Sequence, residues 1–353
     1  MANMAQAIRL ALHYGEKHLG VTDVFGEDVG PPMGGVFTCT QGLETAWNTP
    51  LDERGIIGTA IGLALAGQKP VAEIQFSDYI YNTIDLLKLA GNSCWTTNGA
   101  FPLSMVVMTP AGAGIHGAPY HSHSFDAIAT HLPGWKIVMP STPLDAYGLM
   151  LSAIEDPNPV LFLSSKALLR TKGEELIPGE PADEKELRDL IDAPVGVDRK
   201  DWKPRWPEVG YAPIPIGQAK TVRQGDNAVI VTYSRHVHLA KRVADKLAAE
   251  GVGQTQVIDL RSLYPYDWNA ISEAVQRTGR VLFLNEDTEI TNFGEHLLHR
   301  TIQEHYYVLR AKPRVLAGLH VPAIGLAPPL EEASVPQERD IERELRALLT
   351  EAT

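Results

Sequence analysis

Thr49-Pro-Leu-Asp-Glu-Arg-Gly-Ile-Ile-Gly-Thr-Ala-Ile-Gly-Leu-Ala-Leu-Ala-Gly-Gln-Lys-Pro-Val-Ala-Glu-Ile-Gln-Phe76 is the stretch whose reading decides the fold. Its apolar run, Gly55 to Gly67, is shorter than the roughly 18 residues a membrane span needs and reads as a buried helix. Thr49-Pro50 offers an N-cap and a first-turn proline, so a helix is expected over 51–67, ended by Pro70. Val71 to Phe76 then reads as a strand. Upstream, Met4, Ala7, Ile8, Ala11 and Leu12 repeat at helical steps and lead into a strand over Val21 to Phe25, closed by Gly26-Glu-Asp-Val-Gly30. Downstream, a helix is expected over 80–90, strands over 103–108, 137–139 and 160–163, and a helix over 143–154. Strands alternating with helices predict a parallel α/β sheet over 1–170.

Residues 171–215 break the pattern with prolines, charges, Trp202, Trp206 and Tyr211, and are periodic only around 183–192. They read as an extended linker or insertion. From Ala228 the alternation resumes: strands 229–232, 255–259 and 281–284, helices 236–250, 267–277 and 293–306, then a charged terminal helix near 338–350. A second α/β domain over 216–353 follows.

The 353 residues suit about two domains. Hydrophobic residues at 44% and charged residues at 21% exclude a disordered or fibrous chain. Thirty-one Lys and Arg against 43 Asp and Glu leave a net charge of −12, with no basic block, which argues against nucleic acid as a partner. The two cysteines, Cys39 and Cys94, make no disulfide framework or thiolate zinc site. No signal-like or membrane segment is read, so the expected place is the cytoplasm, or the mitochondrial matrix after loss of a targeting peptide.

Gly112-Ala-Gly-Ile-His-Gly117 spells GxGxxG after a strand. A dinucleotide fingerprint needs a helix to start there, and Pro110 and Pro119 bracket the segment instead, so it reads as a glycine loop of close backbone approach. His116, His121, His123 and His131 crowd this region. A metal site, a catalytic or substrate-binding histidine and a plain surface loop all remain open on the residues alone. Glu53 sits in the first turn of the 51–67 helix, where an acid is commonly a partner of the helix dipole. Beside a Gly58/Gly62/Ala66 face it is also where a carboxyl could be desolvated for acid–base work. Glu286, Asp287 and Glu289 read as a solvated strand end, and His296 and His299 as solvated or interfacial. Neither GxxxxGK[ST], GxSxG nor HExxH occurs.

Gly26-Glu-Asp-Val-Gly30, Gly34-Gly-Val-Phe37, Thr49-Pro-Leu-Asp-Glu53, Pro70-Val-Ala-Glu-Ile-Gln-Phe76, Tyr120-His-Ser122 and Pro140-Ser-Thr-Pro143 stand in an order that resembles the E1 beta subunit of 2-oxo acid dehydrogenase complexes. Asp259 to Asp267 and Pro328-Pro-Leu-Glu-Glu332 extend the resemblance to the C-terminal half. It implies an N-terminal thiamine-pyrimidine-binding parallel-sheet domain and a transketolase C-terminal-like α/β domain. It also implies thiamine diphosphate shared with an E1 alpha subunit in an α2β2 heterotetramer, the alpha chain holding Mg2+ through a GDG and Asn motif. Gly225-Asp-Asn lacks that pattern, which fits the beta role.

By the resemblance, Glu53 faces the aminopyrimidine N1′ as proton shuttle, and Leu51, Gln75 and Tyr79 line the pyrimidine. His121 matches the histidine that assists acyl transfer to the lipoyl group. Asp156, Asn158 and main-chain carbonyls near Ala153 and Met105 match a potassium site. The implied activity is decarboxylation of pyruvate or a branched-chain 2-oxo acid with transfer to lipoyl-E2, docked through its subunit-binding domain. Alternatives are an acetoin dehydrogenase-type or transketolase-like partnered enzyme, or a non-catalytic E2-docking scaffold. The chain departs from the family at Cys94-Trp-Thr-Thr-Asn-Gly99, at Met108 where arginine is usual, and at Ser122-His-Ser124, positions that bear on substrate range and lipoyl docking.

Overall fold

The computed structural model describes residues 1–351 and divides into two compact units. The first comprises Met1–Ala111 and His131–Ile216; the second comprises Gly112–Thr130 and the described chain from Gly217 onward.

The first unit opens with helix Met4–Tyr14, started by a reciprocal capping box: Asn3 Oδ1 accepts from Gln6 N–H at 2.9 Å, and Gln6 Oε1 from Asn3 N–H at 3.0 Å. Strands β1 (Asp23–Gly26), β2 (Ala46–Asn48), β3 (Pro70–Glu73), β4 (Val106–Ala111), β5 (Lys136–Val138) and β6 (Val160–Ser165) lie in the order β5-β6-β4-β3-β1-β2. These pairings are all parallel, as the helical alternation predicts. Helices Glu53–Leu65, Ile84–Thr96 and Pro143–Glu155 make the crossovers. The core combines the first helix (Ile8, Leu10, Leu12), helix 143–155 (Leu149, Leu151) and strand residues such as Val24, Val71 and Phe162.

Several boundaries differ from expectation for local reasons. The cap of the second helix is Asp52, whose carboxylate accepts from Gly55 N–H at 3.0 Å, not Thr49-Pro50. Thr49 is engaged elsewhere, its N–H bonding Gly26 O at 3.0 Å beside β2. β3 stops at Glu73, and a 3-10 turn over Ser77–Thr83 delays the next helix to Ile84.

Residues 171–215 are not a free linker. Ile177, Leu187 and Ile191 join the core, and Arg9, 1% exposed, pairs through Nη2 with Asp192 Oδ1 at 2.9 Å. His13 stacks on Trp206 with ring centroids 4.1 Å apart, and Tyr147 donates to Gly210 O at 2.8 Å.

In the second unit β7 (Lys220–Arg223), β8 (Ala228–Thr232), β9 (Thr255–Asp259), a short strand β10 (Ser262–Tyr264), β11 (Val281–Thr288) and β12 (Arg314–Gly318) follow one another. Its sheet runs β12-β11-β8-β9-β7, parallel except for β7, which pairs antiparallel with β9. Helices Arg235–Ala249 and Glu338–Thr350 bury Val243, Leu247, Ile341 and Leu345 against it. No helix among the described residues is long and apolar enough to cross a membrane.

Between β8 and helix 235–249 stands Ser234, buried at φ 55°, ψ −138°, a region that only glycine occupies comfortably. Its buried Oγ has no hydrogen-bond partner. Ser234→Gly is therefore expected to stabilise the protein by about 1 kcal/mol, the relief of strain outweighing the extra freedom of glycine in the unfolded chain. A thermal midpoint that falls in this variant would show that Ser234 is not strained.

Candidate active site

The parallel strands of the first unit end on one edge, the edge where open α/β sheets place their chemistry. Gly26, Glu73 and Met108 stand side by side there, in register across β1, β3 and β4. The strands approach so closely that a Cβ on Gly26 would lie 2.3 Å from Glu73 O. At and just beyond the strand ends the chain places the carboxylates of Glu73, Glu27, Asp28 and Glu53.

Glu53 occupies the first position of its helix, and its Oε2 accepts from Asn82 Nδ2 at 3.1 Å. The desolvation expected at Glu53 is found at its neighbours instead: Glu53 is half-buried, whereas Glu27 and Glu73 are buried. Among the described residues of this chain nothing lies within 4 Å of a Cβ built at Gly58 or Gly62. Burial pushes the Glu73 carboxyl up to about 8, with the negative charge of Asp28 adding to it. Glu27 is raised by burial and then by the charges of Glu53 and Asp28. Gln75 donates through Nε2 to Asp28 Oδ2 at 3.0 Å. The half-buried Tyr79 phenol is raised by burial and by Asp78, Glu27 and Glu53. Its ring meets Phe76 edge-on, centroids 5.7 Å apart. Leu51, 82% exposed, precedes Glu53 as an uncovered apolar side chain. Glu53, Gln75 and Tyr79 thus gather with the acids at the first unit's strand-end edge, and Leu51 precedes Glu53 by two residues.

His121 belongs to the second unit, on the glycine loop. No dinucleotide-type helix starts at Gly112, and only a 3-10 turn, Ala118–Tyr120, interrupts the loop. Gly112 N–H bonds His123 O at 2.7 Å, closing it. A Cβ on Gly112 (φ +83°) would lie 1.9 Å from Glu286 Oε1, so glycine is the residue that admits that carboxylate. His121 Nδ1 lies 3.1 Å from Gly117 O. A carbonyl only accepts, so Nδ1 carries the proton and Nε2 of the neutral ring keeps the lone pair.

Glu286 and Asp287 are not the solvated strand end that their composition suggests; they are 6% and 4% exposed and face this loop. Asp287 Oδ2 accepts from Ala127 N–H at 2.9 Å, and burial together with Asp287 holds the Asp126 carboxyl well above its usual range. Tyr233 donates to Asp126. Among the described residues no group of three or more His, Cys, Asp and Glu side chains is placed to hold a metal.

Asp156 and Asn158 are brought together with the segment before β4, but their side chains are committed. Asp156 Oδ1 accepts from Asn158 N and Nδ2, both at 3.0 Å, and Oδ2 pairs with the Lys136 ammonium. Met105 O accepts from Val160 N–H at 3.0 Å. Lys136 already supplies the positive charge at Asp156, so these side chains do not fit a potassium ion.

Two family models match the chain: the transketolase pyrimidine binding domain over residues 1–172 and the transketolase C-terminal domain over 217–341. It is 37% identical over 351 residues to the 2-oxoisovalerate dehydrogenase subunit beta of Bacillus subtilis, covering 97% of each chain. The chain belongs to the E1 beta family of 2-oxo acid dehydrogenases. Its similarity extends to the same subunit of Pseudomonas aeruginosa, 36% identical over 90% of this chain and 87% of that one. The pyruvate dehydrogenase E1 component subunit beta of Acholeplasma laidlawii is 32% identical over 84% and 83%. A solved structure described as a split-gene transketolase, inactive beta4 tetramer, superposes over the full length of both chains with a TM-score of 0.71 at 19% identity and shares the fold.

The strand-end edge of this E1 beta chain fits an aminopyrimidine. A carboxylate at a helix start, an exposed Leu51 and the half-buried Tyr79 ring supply one acid and two apolar surfaces for a flat heteroaromatic ring. Residues 173–216 fall outside both family models, yet they pack into the first unit. Reading the sequence missed Glu73, Glu286, Asp287 and Glu331 as site-building acids; an acid amid β-branched strand residues, as in Val71-Ala-Glu-Ile74, is the signal that could have found the first.

Proposed function

We propose that this chain is the beta subunit of a thiamine-diphosphate-dependent 2-oxo acid dehydrogenase E1. Together with an alpha subunit in an α2β2 assembly it decarboxylates pyruvate or a branched-chain 2-oxo acid and passes the acyl unit to lipoyl-E2. The observation that carries this is full-length likeness to subunits of that name, with an acid, Glu53, at the helix start beside Tyr79 and Leu51. Thiamine diphosphate, when bound, supplies the electron sink for decarboxylation, and the alpha chain supplies the Mg2+ and diphosphate site.

The chain's own residues do the positioning. Glu53 holds a proton at the pyrimidine nitrogen and exchanges it, while Asn82 fixes the carboxylate through Oε2. Leu51 and Tyr79 flank the ring and exclude water from one face. Gln75 is oriented by Asp28. His121, protonated at Nδ1 and bonded to Gly117 O, presents Nε2 to relay the proton gained by one lipoyl sulfur when the lipoyl disulfide is reduced and its other sulfur takes the acyl unit.

Reconstitution tests this. Dye reduction driven by a 2-oxo acid, with thiamine diphosphate and Mg2+, is expected only when this chain is co-expressed with an alpha chain carrying the GDG and Asn motif. Relative rates with pyruvate and branched acids then rank substrates. Activity of this chain alone, or none in an assembled cofactor-loaded mixture, would overturn the reading.

A further inference from the structure

The glycine loop is held by an acid far from it in sequence. Glu331, on the short helix Pro328–Ser334, is 5% exposed. Its Oε1 accepts from Gly114 N–H at 3.1 Å and its Oε2 from His116 N–H at 2.9 Å. The His116 ring adds Nδ1 at 3.4 Å from Oε1. Both carboxylate oxygens are therefore spent on the loop backbone, and the bonded residues flank Ile115, immediately before Gly117, whose carbonyl orients His121. His116 and Ala118 carry positive φ, 56° and 59°, so this stretch keeps its path only where something outside it imposes one.

We propose that Glu331 is a positioning residue for His121. By bridging two loop amides it sets the path of residues 114–117, hence the position of Gly117 O, and hence the direction and tautomer of the imidazole. A bridging carboxylate suits this task because it presents two acceptors in one plane, each charge-assisted, to donors two residues apart. Glutamine in its place accepts from one amide and turns its own NH2 toward the other. Alanine accepts from neither. Gly114 and His116 are themselves exposed, so their freed amides pass to water and the loop loosens while the core stays folded.

The role of the imidazole in acyl transfer rests on the function proposed above, so the test reads the loop and the reaction separately. Glu331→Gln and Glu331→Ala are compared with the natural protein in the assembled α2β2 enzyme. Hydrogen exchange is followed in the peptide spanning 112–124, and acyl transfer to a lipoyl domain is measured beside dye reduction. Exchange in this peptide is expected to quicken about tenfold in Glu331→Gln and further in Glu331→Ala. The kcat for transfer should fall at least tenfold more than dye reduction does, with the KM for the lipoyl domain changed less than about threefold. Unchanged exchange in both variants overturns the proposal. So does quickened exchange with undiminished transfer. If exchange quickens but even the natural protein transfers no acyl group, the E1 reading fails while the hold of Glu331 on the loop stands. Should Glu331→Ala not assemble, Glu331→Gln, matched in shape, decides alone.

Discussion

Glu53→Gln in the reconstituted enzyme is expected to lower turnover by about 10²–10⁴-fold, the range that a positioned acid–base group contributes. The substitution is nearly isosteric. An amide oxygen can still accept from Asn82 Nδ2, and the helix keeps its Asp52 cap. What is lost structurally is one negative charge in the first turn of Glu53–Leu65, about 0.3–2 kcal/mol at a half-buried site. Assembly should therefore survive, and only proton exchange with the pyrimidine should disappear. Cofactor retention and tetramer mass are checked in the same preparation. More than a few per cent of residual turnover in the assembled variant would remove Glu53 from this role.

Glu73→Gln should produce the second large effect, on stability rather than rate. Glu73 is 4% exposed and its carboxyl sits near 8, against an ordinary 4.5. Met108 stands in register beside it on β4 and offers no positive charge. Below about pH 4.5 the carboxyl is protonated in folded and unfolded chains alike, and burial carries no ionic penalty. Between about 4.5 and 8 the unfolded chain ionises first, so stability falls as pH rises; above 8 the loss is complete. At 1.36 kcal/mol per pH unit the span of about 3.5 units corresponds to about 5 kcal/mol. Glutamine is neutral throughout. Glu73→Gln should match the natural protein near pH 4 and exceed it by about 5 kcal/mol near pH 9. Parallel stability curves for the two proteins across that range would show that Glu73 is not a buried proton holder.

Most elements of both sheets are legible in the sequence because each is short-range: a period change at Pro70, a proline after Thr142, an apolar run at Val281–Leu284. The boundaries that moved did so where a tertiary bond competed with a local cap, as Thr49 did by bonding Gly26 O. Glu53, Gln75 and Tyr79, named by the resemblance, stand near the strand-end acids, a gathering that no local pattern predicts. How residues 171–215 pack was not legible for a physical reason: their contacts reach Arg9 and His13, which no local pattern in a proline-rich stretch reveals. The acids that hold the glycine loop were invisible for the same reason. Asp287 meets Ala127 across 160 residues, and Glu331 meets Gly114 across 217, so nothing near either end announces the bond.

That separation has a consequence for the living chain. Synthesis proceeds from the N-terminus, so His121 leaves the ribosome about 10–40 s before Glu331 at 5–20 residues per second. Throughout that interval the first sheet can assemble, but the histidine loop has no carboxylate to hold it. A chain released before Glu331 is made would carry Glu53 in place and the His121 loop without the carboxylate that bridges Gly114 and His116.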